Sequence, residues 1–252
     1  IRLVLQEISK LLLSVALYAV LLLLGAMSTV WNTVAMLLYP LLPRHRGLVV
    51  GRAGIAYGYR LFWTLASLTG MIRLQAEALD VLRDEPGGLI VVANHPSLLD
   101  ALMLVARLPR SVCIMKASLM KNVFLGAGAR LARYIRNDSP RSMIRLAVED
   151  LKHGSQLVLF PEGTRTTQAP LNPFRPGITL IAKMANVPIQ AVFIDTDSPY
   201  LGKGWPIWKL PPLPIVFTVR MGQRFAPSDD ADALLQTLHA YMAQGVNAGP
   251  PR

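Results

Sequence analysis

Residues 89–102, LIVVANHPSLLDAL, run an apolar stretch from Leu89 to Ala93 into Asn94, His95 and Pro96, and place Asp100 five positions after the histidine. A short continuous apolar run behind two glycines, Gly87 and Gly88, reads as a buried strand. Pro96 suits the first turn of a helix that follows it. The carboxyl end of a strand feeding a helix is where open α/β sheets place their ligands. Within a regular helix His95 and Asp100 would lie roughly 140° apart, five steps of about 100°. They meet only if His95 stands just before the helix with its ring turned back over the first turn. In that arrangement the carboxylate accepts the proton of one ring nitrogen and the other nitrogen takes a proton from an approaching hydroxyl. This is the base and orienter of a triad without its serine, so the nucleophile would be the substrate's own alcohol. The spacing alone fits equally a histidine satisfied at a helix start beside a dipole-stabilised aspartate. A second block is needed to decide.

Outward from this stretch, strand-like and helix-like segments alternate. IRLQAEAL (72–79), SVCIMK (111–116), YIRN (134–137), QLVLF (156–160), VPIQAVFI (187–194) and LPIVFTVRM (213–221) read as strands, and 97–106, about 120–132, 140–153, 177–186 and 228–245 as helices. Such alternation predicts an α/β domain with a mostly parallel, mixed sheet flanked by helices. Residues 195–214, rich in Pro, Gly and Trp, read as an irregular excursion in which Trp205 and Trp208 suit an interface.

Residues 11–43 contain no charged side chain, a stretch long enough to cross a bilayer, which takes roughly 20 apolar residues. Basic residues flank it on both sides, so charge does not orient it, and entry into one leaflet fits as well as a full crossing. A second apolar stretch, 53–72, carries Arg60 and reads as an amphipathic helix at the interface. The expected division is therefore a helical membrane anchor over residues 1–72 and an α/β domain over 73–252. Overall, 26 Lys and Arg against 15 Asp and Glu give a formal charge of +11, which suits phosphate groups and anionic lipid. No aromatic-interleaved basic helix is visible, which argues against nucleic acid. The four histidines are scattered at 45, 95, 153 and 239, and Cys113 is the single cysteine, so no metal site is expected.

The second block is LVLFPEGTR, 157–165, another strand ending in a turn. Gly163 allows close approach of a ligand, and neighbouring amides suit an oxyanion or a phosphate. Arg165 offers a forked donor set for phosphate, and Glu162 is placed to hold it or to bind an acceptor hydroxyl. NHPSLLD resembles the NHxxxxD motif, and FPEGTR the FPEGTR motif, of the glycerolipid acyltransferases. FRPGITLIAKMANVPIQAV (174–192) is similar to that family's F-[KR]-x-G block and its following strand, and the looser 115–138 segment retains Lys116, Gly126 and Arg136.

This resemblance implies transfer of an acyl group from a thioester, acyl-CoA or acyl carrier protein, to the sn-2 hydroxyl of a lysophospholipid such as 1-acyl-glycerol-3-phosphate, with no further cofactor. It implies His95 as general base and Asp100 as its orienter. It assigns substrate binding to Lys116, Arg136, Glu162, Gly163, Thr164 and Arg165, and places the chain on the cytoplasmic face of an inner membrane. Another lysolipid, such as a lyso-ornithine lipid, is an alternative acceptor, and a non-catalytic lipid-binding protein is the alternative of a different class.

Overall fold

The computed structural model describes residues 2–207 and 209–249; Trp208, expected at an interface, lies outside the described residues. Strand β2 (Leu89–Ala93) is buried at every position. It sits in a seven-stranded sheet of order β1-β7-β6-β2-β5-β3-β4. The other strands are β1 (Ile72–Gln75), β3 (Ser111–Met115), β4 (Ile135–Arg136), β5 (Gln156–Leu159), β6 (Ile189–Asp195) and β7 (Ile215–Phe225). Neighbours pair in parallel except β6 with β7, which are antiparallel. The mixed, mostly parallel sheet read from the sequence is the sheet observed.

Alternation along β2 divides the core. Leu89, Val91 and Ala93 join a cluster with Phe62, Trp63, Met103 and Phe217, whereas Ile90 and Val92 join one with Leu157, Ile181 and Leu238. Helices cover both faces, as a parallel sheet buried on two sides requires. The first face carries α1 (Arg2–Leu41), α2 (Arg44–Leu68) and α3 (Asp100–Arg107); the second carries α5 (Pro140–Lys152), α6 (Gly177–Ala185) and α7 (Ala231–Ala248). A shorter helix, α4 (Gly126–Leu131), packs on α1 through Ala35, Ala127 and Leu131. By parity His95 continues the side of Leu89, Val91 and Ala93, the side on which α1 and α2 lie.

Two local readings differ from what folds. The segment expected as one helix over about 120–132 is a 3-10 turn (Ala117–Lys121), a loop and then α4, because Asn122 breaks the run: its side chain accepts from the amide of Phe124 at 2.8 Å. The strand expected over 72–79 stops at Gln75 and continues as a 3-10 turn, Glu77–Leu82.

At 1.5 Å per residue, α1 is about 60 Å long, twice the roughly 30 Å hydrocarbon thickness of a bilayer. Within its Ile8–Leu41 portion an 18-residue window reaches a mean hydropathy of 2.4, and only 11% of that window is buried inside the protein. Exposed leucines at 11, 12, 22 and 41 line it. One side is spent on the domain: Leu17 and Val20 join the first core cluster, and the Trp31 ring fills the space above Gly54 of α2, where a Cβ would lie 2.0 Å from it. The second apolar stretch forms the C-terminal part of α2, whose Ile55, Phe62, Trp63 and Ala66 pack into the cluster that includes Ile72 and Phe217. Its opposite side exposes Tyr57, Leu61 and Leu68.

Arg52 ties α2 to the end of α4, to α5 and to the turn that leads into β5. It is buried and donates to Ala132 O at 3.1 Å, Ser155 Oγ at 2.7 Å and Asp150 Oδ1 at 2.9 Å. Removing one partner of such a pair strands the other's charge. Asp150 retains some solvent access, so Arg52→Met is expected to cost about 2 kcal/mol in denaturant unfolding. Adding Asp150→Ala should recover part of that loss.

Candidate active site

The site is built where β2 and β5 end. Asn94 closes β2: its side chain donates to Ile194 O at 2.9 Å and accepts from Ile194 N at 2.8 Å, continuing the ladder to β6 with an amide side chain. That leaves His95 as the first residue free of the sheet. Its Nδ1 lies 2.9 Å from Asp100 Oδ2, and the same carboxylate oxygen accepts from the amide of Ser97 at 2.8 Å. The histidine stands before α3 and its aspartate opens that helix, so the two meet although they are five residues apart. The ring stacks on Phe160, centroids 4.1 Å apart, and keeps 16% of its surface exposed.

Asp100 is fully buried, and its Oδ1 has no protein partner. Burial pushes its pKa up to about 6, against the opposing pull of the His95 hydrogen bond and charge, the Ser97 amide and the Arg165 charge.

The FPEGTR turn lies beside it and is held by Glu162. This buried carboxylate accepts from His95 N at 3.2 Å and Thr166 Oγ1 at 2.7 Å through Oε1, and from Asn172 N at 2.9 Å through Oε2. Thr166 N donates in turn to His95 O at 2.9 Å. Glu162 therefore fastens the two motif segments together, and both its oxygens are taken by protein donors. Asn172, outside the residues singled out from sequence, does the same for the following loop. Its Oδ1 accepts from Thr167 N, Thr167 Oγ1 and Gln168 N, and its Nδ2 donates to Arg165 O.

Gly163 adopts φ +70°, the left-handed region that favours glycine. A Cβ there would fall 2.2 Å from Nε of Arg175, so the Arg175 guanidinium lies directly over the turn. The Gly163 amide is already used, donating to Phe160 O at 3.0 Å. The amides of Thr164 and Arg165 meet no acceptor among the described residues, which leaves them available to an incoming oxyanion or phosphate.

The candidate cations fall into two groups. Arg165 lies close enough to act on Asp100, but its Nη1 donates to Leu201 O at 2.8 Å and Gly202 O at 3.0 Å, carbonyls of the 196–214 excursion. Lys116 and Arg136 stand further along the same carboxyl edge, beyond β5, at the ends of the paired strands β3 and β4. Both are exposed, and Arg136 lies 3.4 Å from Asp138. Arg175 is the cation that motif reading passes over; its signal was the FRPG block, and only its position over Gly163 gives it a place in the site.

The excursion closes one wall. Leu98 N donates to Leu201 O at 3.0 Å and Ser97 Oγ to Tyr200 O at 3.1 Å, so the loop that carries His95 is bonded to it. Tyr200 and Leu201 share the first core cluster with Leu17 and Val20 of α1.

Comparison with known proteins follows the same lines. A model of the acyltransferase family matches residues 73–195. The 1-acyl-sn-glycerol-3-phosphate acyltransferase of Pseudomonas aeruginosa is 27% identical over 195 residues, covering 73% of this chain and 72% of that protein. Human 1-acyl-sn-glycerol-3-phosphate acyltransferase beta is 28% identical over 165 residues, covering 62% of this chain and 58% of that protein. The crystal structure of the 1-acyl-sn-glycerophosphate (LPA) acyltransferase from Thermotoga maritima matches with a TM-score of 0.62 at 21% identity, over 89% of this chain and 95% of that one. At that identity the structural match speaks for the fold.

Proposed function

We propose that the protein, whose residues 73–195 match the acyltransferase family model, moves a fatty acyl group from a thioester donor to the sn-2 hydroxyl of 1-acyl-glycerol-3-phosphate, yielding phosphatidic acid. The observation that carries this reading is the 2.9 Å contact between His95 Nδ1 and an Asp100 carboxylate that is buried and further held by the Ser97 amide. It fixes the Nδ1–H tautomer and leaves Nε2 as a base.

Nε2 takes the proton of the acceptor hydroxyl as its oxygen attacks the thioester carbonyl. The carbonyl oxygen becomes an oxyanion, which the amides of Thr164 and Arg165 are placed to receive. Collapse expels the thiolate of the donor, and the imidazolium returns the proton to it. No covalent enzyme intermediate and no cofactor is required, since acyl-CoA or acyl carrier protein is consumed as co-substrate. The acceptor phosphate is held by Lys116, Arg136 and Arg175, with the remaining donors of Arg165. Holding it converts the attack into an effectively intramolecular step. Glu162 acts as a positioning residue through the His95 and Thr166 segments rather than by touching substrate.

Residues 1–72 serve as the membrane-binding unit and 73–252 as the catalytic unit. Acyl-CoA and carrier protein are cytosolic, which places the site on the cytoplasmic face of the inner membrane.

The test is a panel of acceptors offered to the purified chain in mixed micelles, with acyl-CoA and acyl carrier protein as donors. Turnover of lysophosphatidic acid above that of lyso-ornithine lipid is the expected result. No turnover with lysophosphatidic acid, beside turnover of another lysolipid, would reassign the acceptor, and inactivity towards all would favour a lipid-binding role.

A further inference from the structure

We propose that Val123 and Phe124 form a second membrane contact, inserted into the same bilayer face as α1, and that the acyl chain of the lysolipid reaches the site past them. The proposal rests on the acceptor reading above.

The two side chains stand at the tip of the loop joining the 117–121 turn to α4, exposed by 69% and 47%. Their exposure does not come from a loose backbone. Asn122 Oδ1 accepts from Phe124 N at 2.8 Å, Asn122 O accepts from Gly126 N at 2.8 Å, and Arg130 Nη1 caps Met120 O at 2.6 Å. A stiff tip that presents valine and phenylalanine to the outside suits contact with an apolar medium.

The neighbouring surface names that medium. Asn32, a polar residue in the uncharged run of α1, donates to Val123 O at 2.6 Å and accepts from Ala127 N at 2.7 Å and Gly128 N at 3.0 Å. The tip is thus bonded to the helix whose composition and length suit a bilayer, on the side of that helix that exposes Met36 and Tyr39 one and two turns further on. Lys121, exposed at its base, is placed for anionic headgroups. The same loop begins at Lys116, proposed above as a phosphate ligand. A lysolipid held by its phosphate at that edge would therefore run its chain past Val123 and Phe124 into the hydrocarbon.

The full chain carrying Phe124→Cys, labelled with a nitroxide and reconstituted in vesicles of phosphatidylethanolamine and phosphatidylglycerol, reports on this directly. The other cysteine, Cys113, is buried. Relaxation of the label by bilayer-soluble oxygen should exceed relaxation by an aqueous nickel chelate, and the reverse should hold for Lys152→Cys at the end of α5. In the double variant Val123→Ser/Phe124→Ser, the apparent KM for a long-chain lysolipid in vesicles should rise about tenfold, while a short-chain, monomeric acceptor changes by less than about twofold.

An aqueous environment at position 124, dipolar broadening between labels of two copies, or equal losses with both acceptors would each overturn the proposal. The depth measurement needs no turnover. A protein inactive on every lysolipid would remove the acceptor reading, while the label still decides whether the tip meets lipid.

Discussion

His95→Ala should lower kcat by about 10² to 10⁴ while the protein remains folded, because the variant loses the proposed base but keeps the donors proposed for phosphate and oxyanion. The KM for lysolipid should change little, since Lys116, Arg136 and Arg175 do not touch the imidazole. The ring contributes a stack on Phe160 and one hydrogen bond to the fold, so thermal unfolding should shift only slightly. Retention of a tenth or more of wild-type kcat, measured with a saturating thioester donor, would remove His95 from the role of base.

Asp100→Asn is the second large effect, and it carries a pH signature. The amide still fills the pocket but would no longer stabilise the imidazolium of the proposed mechanism, and it would favour the wrong tautomer. A loss of about 10² or more in kcat is expected. In the wild type, activity should fall as the medium is acidified through about pH 6, where Asp100 takes up a proton and its hold on His95 weakens. That part of the acid limb should be absent from the variant.

The linkage to stability has a definite sign. Burial raises Asp100 from 3.8 when unfolded to about 6 when folded, so the protonated carboxyl favours the folded state. Its contribution is present in full below pH 3.8 and is lost as pH rises through about 6. The difference in unfolding midpoint between pH 5 and pH 8 should therefore contain a term that Asp100→Asn removes. Identical pH profiles for wild type and variant, in both rate and stability, would show that Asp100 does not titrate there.

Much of the site could be read along the chain because its signals are local. NHPSLLD places a histidine at a strand end and an aspartate on the first turn of the next helix, and LVLFPEGTR repeats the strand-to-turn pattern. What local pattern does not carry is how donors and acceptors from distant segments are used up. Glu162 and Arg165 have the chemistry of ligand contacts, yet Glu162 is saturated by His95, Thr166 and Asn172, and Arg165 is partly committed to Leu201 and Gly202. Arg175 showed no special sign in sequence beyond its block and became part of the site only when the 161–175 loop folded it across Gly163.

By itself the sequence determined the alternation of strands and helices, the apolar length of the first helix, and the spacing that lets His95 meet Asp100, since periodicity and short-range geometry are properties of neighbouring residues. The tertiary structure alone decided that β7 runs antiparallel to β6, that Asn94 bonds to β6 and Arg52 to Asp150, and that Asn32 holds the Val123–Phe124 tip against α1. Each of those depends on partners from about 90 to 100 residues away or on the order in which strands enter the sheet, and a contact of that range leaves no periodic trace in the chain that makes it.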